Sequence, residues 1–87
     1  MNILVRPGLA NRTFEASDQD TVGATYYYFG FLTQDANWVI QRFDNSVTNI
    51  INYRYATTNN NSGYTTYSAA WTARASLTYD YFNVAGI

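Results

Sequence analysis

The sequence predicts a mainly β fold: a small antiparallel β-sheet or sandwich with one short helix and an extended N-terminal arm. Three observations carry this. Runs rich in β-branched and aromatic residues recur from residue 25 onward, each bounded by Asn, Asp, Ser or Thr. The 87 residues include nine Tyr and eleven Thr, types that suit a pleated, half-buried surface. Residues 1–24, by contrast, show neither a period of two nor one of 3.6.

That first stretch mixes Pro7 and Gly8 with isolated Leu9 and Phe14. Residues 1–24 read as an extended N-terminal arm, with room for a short strand at Ile3 to Val5; the arm is either a flexible terminus or lies across a neighbouring subunit with Leu9 and Phe14 as anchors. Residues 25–87 then form a single small β domain. Three strands, at 25–33, 38–45 and 49–57, make a meander. Closing its turns symmetrically sets Thr33 opposite Trp38 and Asp44 opposite Asn49. One face then collects Tyr27, Phe29, Phe31, Trp38, Ile40, Ile51, Tyr53 and Tyr55 as the core, closed at one end by Arg42 and Asp44. The opposite face collects Tyr26, Tyr28, Leu32, Val39, Phe43 and Ile50, with Gly30 leaving room for a close backbone approach. That second face is too apolar for bulk water, so it is expected to be a contact surface, with Tyr26, Tyr28, Leu32, Phe43 and Ile50 as interface residues. A slip of one residue exchanges partners but leaves both faces apolar.

The run "TNNNSGY" (58–64) is an exposed loop on composition. Four alanines with Trp71 and Arg74 at 67–75 suit a short helix opened by Thr65 or Thr66. Residues 76–84 alternate again and predict a final strand.

Composition removes much chemistry. The chain has no Cys and no His, hence no disulfide, thiol nucleophile, imidazole base or Cys/His zinc site. The five serines lack a basic partner, and the separated glycines form no phosphate loop. No enzymatic activity and no cofactor are expected. All positive charge is arginine, five against six carboxylates for a net charge of −1, which argues against a nucleic-acid footprint and for easy association. The opening "MNILVRPG" has only three consecutive apolar residues before Arg6, short of the ~7–15 of a secretory signal or the ~20 of a membrane span. Neither a membrane nor export is expected, and the absence of cysteine suits assembly in a reducing cytoplasm.

Two groups invite ligand readings. Asp18 and Asp20 form a close carboxylate pair, but a cation site needs about six oxygens, so an acidic turn is favoured. The Asn-rich loop with Asn60, Tyr64, Tyr67 and Trp71 offers flat rings beside amides, a possible glycan platform; cores and subunit interfaces use the same residue types.

The run "WVIQRFD", then "YRYA", then "YSAAWTARASLTY" resembles small proteins encoded among the structural genes of tailed bacteriophages. In these, a Trp-x-Ile-x-Arg strand precedes an Ala-Trp-x-x-Arg-x-x-Leu-x-Tyr segment. Trp38, Ile40, Arg42, Asp44, Tyr55, Ala56, Tyr67, Ala70, Trp71, Arg74, Leu77 and Tyr79 carry the likeness, over about the last two-thirds of the chain. The resemblance implies a virion component, either a capsid decoration (cement) protein or an accessory piece of tail or neck. The expectation is a non-enzymatic structural protein of the virion, assembled in the host cytoplasm, whose partners are itself and other virion proteins. The alternative is a small glycan-binding module that adheres to the host.

Overall fold

A computed structural model describes residues 14–23 and 25–86. The fold is mainly β, as expected. Strands β1 (Glu15–Asp20), β2 (Tyr26–Leu32), β3 (Trp38–Val47) and β4 (Ile50–Thr57) form one antiparallel sheet in the order β1-β2-β3-β4. Helix α1 (Tyr67–Thr72), a 3-10 turn at Arg74–Ser76 and a second helix, α2 (Phe82–Ala85), follow. Among the described residues the architecture is therefore a single sheet with helical cover rather than a sandwich, with two α-helices rather than one.

The arm expected through residue 24 is corrected from Phe14 onward. Phe14 is buried, and β1 pairs with β2 through a bulge between Ala16 and Asp18. Polar side chains hid this strand. Most of β1 is exposed, and hydrogen bonds to β2 rather than apolar alternation hold it. Leu9 and the strand expected at Ile3 to Val5 lie outside the described residues.

The β2–β3 register is Leu32 opposite Trp38, not Thr33. Thr33 belongs to the turn: its N–H donates to the Asn37 carbonyl, its Oγ1 accepts from the Asn37 N–H, and Ala36 sits at φ 67°. An alanine in the left-handed region is uncommon, and nothing in its side chain advertises it. The β3–β4 register runs Ile40 opposite Ala56 and Arg42 opposite Arg54, offset by three from the symmetric closure. Thr48 and Asn49 make the turn, with Asn49 at φ 66°, and a bulge lies between Asp44 and Val47. Because side chains alternate with a period of two, both odd offsets turn β2 and β4 over relative to β3.

The consequence is an exchange of faces. Tyr28, expected outward, is buried with Trp38, Ile40, Ala56, Ala70 and Leu77, and Leu32 packs against them. Gly30 shares that face and is buried as well, but its missing side chain admits the Tyr67 ring of α1 rather than a partner's backbone; a Cβ there would lie within the Tyr67 side chain. A second, smaller cluster of Phe14, Phe31, Val39 and Ala85 occupies the other face at one end. Trp38, Val39 and Ile40 are the largest fully buried side chains, so β3 begins sandwiched between both clusters. Each contributes about 1.5–3 kcal/mol of burial.

Helix α1 begins as expected, with the Thr66 hydroxyl accepting from the Ala69 N–H at 3.3 Å. The strand expected at 76–84 is reduced to one bridge between Tyr55 and Asp80. Asparagine side chains capture the backbone before it: Asn61 accepts from the Thr78 N–H at 2.8 Å and donates to its carbonyl. After Tyr81 the chain turns into α2, which ends at Gly86 in the left-handed conformation.

Gly30→Ala should cost about 1–3 kcal/mol, since neither the strand nor the ring can retreat freely. In a urea-unfolding cycle most of that cost should vanish in a Tyr67→Ala background. An equal cost in both backgrounds would mean that Tyr67 is not the obstacle.

Candidate functional site

The helix-covered face is closed by polar clamps as well as by packing. The Tyr67 hydroxyl donates to Asp18 at 2.7 Å, and the Tyr67 ring stacks on Trp71 with centroids 6.0 Å apart. Arg74 lies over Trp71, donates to its carbonyl, and pairs with Asp20 at 3.0 Å. Asp18 thus holds α1, and Asp20 the 3-10 turn after it, against β1. Among the described residues, no group of His, Cys, Asp or Glu converges as a metal site. Asp20 sits below its ordinary value because it accepts from the Val22 N–H and then from Arg74. Burial pushes up the Tyr28, Tyr67 and Tyr79 phenols, with Asp18 adding to the effect at Tyr67.

The residues of the proposed glycan loop are taken up by the fold. Asn60 accepts from the Thr57 N–H at 2.8 Å and donates to the Tyr55 and Thr78 carbonyls. Asn61 is buried, and the Tyr64 carbonyl accepts from the Trp38 indole at 3.1 Å. Asn59 donates to the Gly86 carbonyl. This loop rivets the end of β4 to the C-terminal segment. Tyr67 and Trp71 lie on α1, partly buried in the first cluster.

The opposite face is different in kind. Among the described residues, only its Phe31 end is sealed, by Phe14 and α2. Beyond that seal run Phe29, Phe43 and Tyr53, joined by ring contacts of 5.1 Å and 4.5 Å, while Tyr55 meets Phe82 at 5.2 Å. Tyr27, Phe29, Phe43 and Tyr55 are half-buried, and Gln41 lies among them, donating to the Tyr55 hydroxyl. Ile51 and Tyr53 at the margin are 51% and 47% exposed. Aromatic rings in continuous contact, with little polar relief and partial exposure, form an apolar contact patch.

Of the residues expected at an interface, Phe43 stands on this patch. Ile50 is exposed at the hairpin tip and Tyr26 is exposed on the other face. Tyr28 and Phe14 are core, and Leu32 packs against the core. Tyr27, Phe29, Ile51, Tyr53 and Tyr55, expected inside, belong to the open face. A sequence signal for this exchange was present in Gly30: a side chain is missing where an alanine-bearing helix needs to sit close.

At the far end of the helix-covered face, Arg42 and Arg54 stand directly opposite each other. The expected Arg42–Asp44 closure is replaced by stacking: the Arg42 guanidinium lies 4.5 Å from the Tyr79 ring centre and 4.9 Å from that of Tyr26. Among the described residues its buried Nε has no hydrogen-bond partner. Asp44 instead accepts from the Ser46 hydroxyl and N–H, which hold its carboxyl below the usual range, with Arg42 and Arg54 adding to the effect. Arg54 covers Tyr81 at 4.1 Å.

One shallow groove over the β1 bulge, lined by Ala16 to Gln19 and Phe29 to Phe31, measures about 150 Å³. That is below the roughly 300–1,000 Å³ of small-ligand sites. Among the described residues, no helix is long and apolar enough to cross a membrane. No family model, curated protein or solved structure matches the chain.

The Asp20 clamp makes acid stability testable. Its carboxyl is depressed in the folded state, so its contribution is complete above the ordinary value of 3.8 and is lost as pH falls through the lower folded value. Asp20→Asn should lower the urea midpoint at neutral pH, with the gap closing below pH 3.8. A gap that persists unchanged into strong acid would contradict this assignment.

Proposed function

We propose that this chain is a non-enzymatic structural subunit of a tailed-bacteriophage virion, self-associating and docking on a larger surface such as the capsid, tail or neck. The observation that carries the reading is the half-exposed aromatic face of Tyr27, Phe29, Phe43 and Tyr53. A domain of this size that leaves so much ring area at the surface gains stability when a neighbour covers it. The likeness to phage structural proteins in the Trp38 strand and the Trp71 segment supports the same class. Those positions are packing positions: Trp38, Ile40, Ala56, Ala70 and Leu77 are buried together. The glycan-binding alternative has less support, because Asn60 and Asn61 spend their amides on the backbone of the fold.

The test is binding to virions that lack the subunit. Wild-type protein should co-sediment with them, and the Phe43→Ser/Tyr53→Ser double variant should lose at least about tenfold in affinity, a change of ~1.4 kcal/mol, while keeping its circular dichroism. Undiminished binding by the double variant would remove the aromatic face from the interaction. Silence of the wild type on particles, with binding on a glycan array, would favour the alternative.

A further inference from the structure

Resting on that structural-subunit reading, we propose that copies of this chain join head to tail, with the free edge of β4 in one copy pairing antiparallel with β1 of the next. Three observations meet here.

The first is backbone geometry. Tyr55 exchanges both of its backbone hydrogen bonds with Asp80, so its N–H and C=O point away from β3. Alternation along an antiparallel strand then points those of Tyr53 and Ile51 the same way. The C-terminal segment pairs only at Tyr55, and among the described residues no strand pairs with β4 beyond it. The Tyr53 carbonyl accepts from the Arg54 guanidinium at 2.9 Å, a contact a partner strand can displace. This leaves a short templating edge flanked by exposed Ile50, Ile51 and Tyr53.

The second is charge. Glu15, Asp18 and Asp20 stand on β1 opposite Leu32, Gly30 and Tyr28, which places them toward the helix-covered face; Asp18 and Asp20 already hold Tyr67 and Arg74, so Glu15 is the acid offered to a second copy. Arg54 stands on that same face of the other edge strand, directly across from Arg42 of β3, and among the described residues no carboxylate is bonded to either, Asp44 being the nearest acid on that face. Like charges directly opposite are unfavourable unless a counter-charge lies close by. Asp44 on the same face supplies part of that counter-charge and a second copy's β1 adds to it at Arg54, whereas pairing β1 with β1 would set acids against acids. Charges and a bulge on an edge strand commonly prevent pairing; here they discourage pairing between like edges and leave the unlike edge open.

The third is strand count. In a four-stranded antiparallel meander β1 and β4 run in opposite directions. A laterally displaced copy therefore presents β1 antiparallel to β4 and keeps each face on its own side. The aromatic faces of successive copies merge into one strip, the surface that the proposed docking requires. Such a heterologous contact closes into a ring or runs on as a filament.

Sedimentation velocity of the full chain, read beside near-ultraviolet circular dichroism, tests the pairing. Wild-type protein is expected to associate at micromolar concentration and to dissociate as salt rises. Ile51→Pro removes one outward donor without touching a β3 bond and should abolish association in a folded protein. Arg54→Glu and Glu15→Arg should each be monomeric alone, and mixing the two should restore association, because each then offers the edge the other lacks. The edge contact is overturned if Ile51→Pro and Arg54→Glu associate as the wild type does. If Phe43→Ser then abolishes association, self-assembly through the aromatic face stands while the edge contact falls. A wild type that is monomeric at every concentration and does not bind particles overturns both.

Discussion

The architecture depends on the first three residues of β3. Trp38 and Ile40 point to one face and Val39 to the other, and all three are fully buried. A strand buried on both sides needs a cover on each, and this chain supplies two unequal ones. Helix α1 and the segment through Tyr79 cover Trp38 and Ile40 along most of the sheet. Among the described residues, Phe14 and Ala85 cover Val39 at one end only. The rest of that face, from Phe29 to Tyr53, is left to aromatic rings packed on one another. Among the described residues the helical cover on that side is the four-residue α2, lying under a strand of ten.

Much of the fold was legible in the residues, and the part that was not has an identifiable cause. Three strands appeared where β-branched and aromatic runs stood, and the helix began at its threonine cap. Two apolar faces also emerged as expected. Which face was which depended on turns whose geometry lies in backbone conformation: Ala36 and Asn49 both adopt positive φ. A turn one residue longer than the symmetric closure moves Tyr28 from the surface to the core. β1 was illegible for a different reason, since its side chains carry charge and its support comes from backbone pairing and from Tyr67 and Arg74, about fifty residues away in sequence.

The candidate site was legible in kind more than in residue. An aromatic excess implied a contact surface, and one is found, but on Tyr27, Phe29, Phe43 and Tyr53 rather than on Tyr26 and Tyr28. The asparagine run looked like a recognition loop because Asn is common in both recognition and turns. Its amides turn out to satisfy backbone groups that a final strand would otherwise have paired, which is why residues 76–84 make one bridge and then a helix. Polar side chains here replace sheet hydrogen bonds, an exchange that composition does not reveal.

The assignment of faces underlies the account of packing, the proposed docking and the edge contact alike. Nuclear Overhauser contacts of the Tyr27 and Tyr28 rings in the dilute, labelled protein test it most directly. Contacts are expected from the Tyr28 ring to Tyr79, whose ring centre is 6.0 Å away, and from the Tyr27 side chain to Phe43, its cross-strand partner, with none to α1. Contacts from Tyr27 to Ala70 or Leu77, with Tyr28 free of them, would contradict it by showing β2 turned the other way.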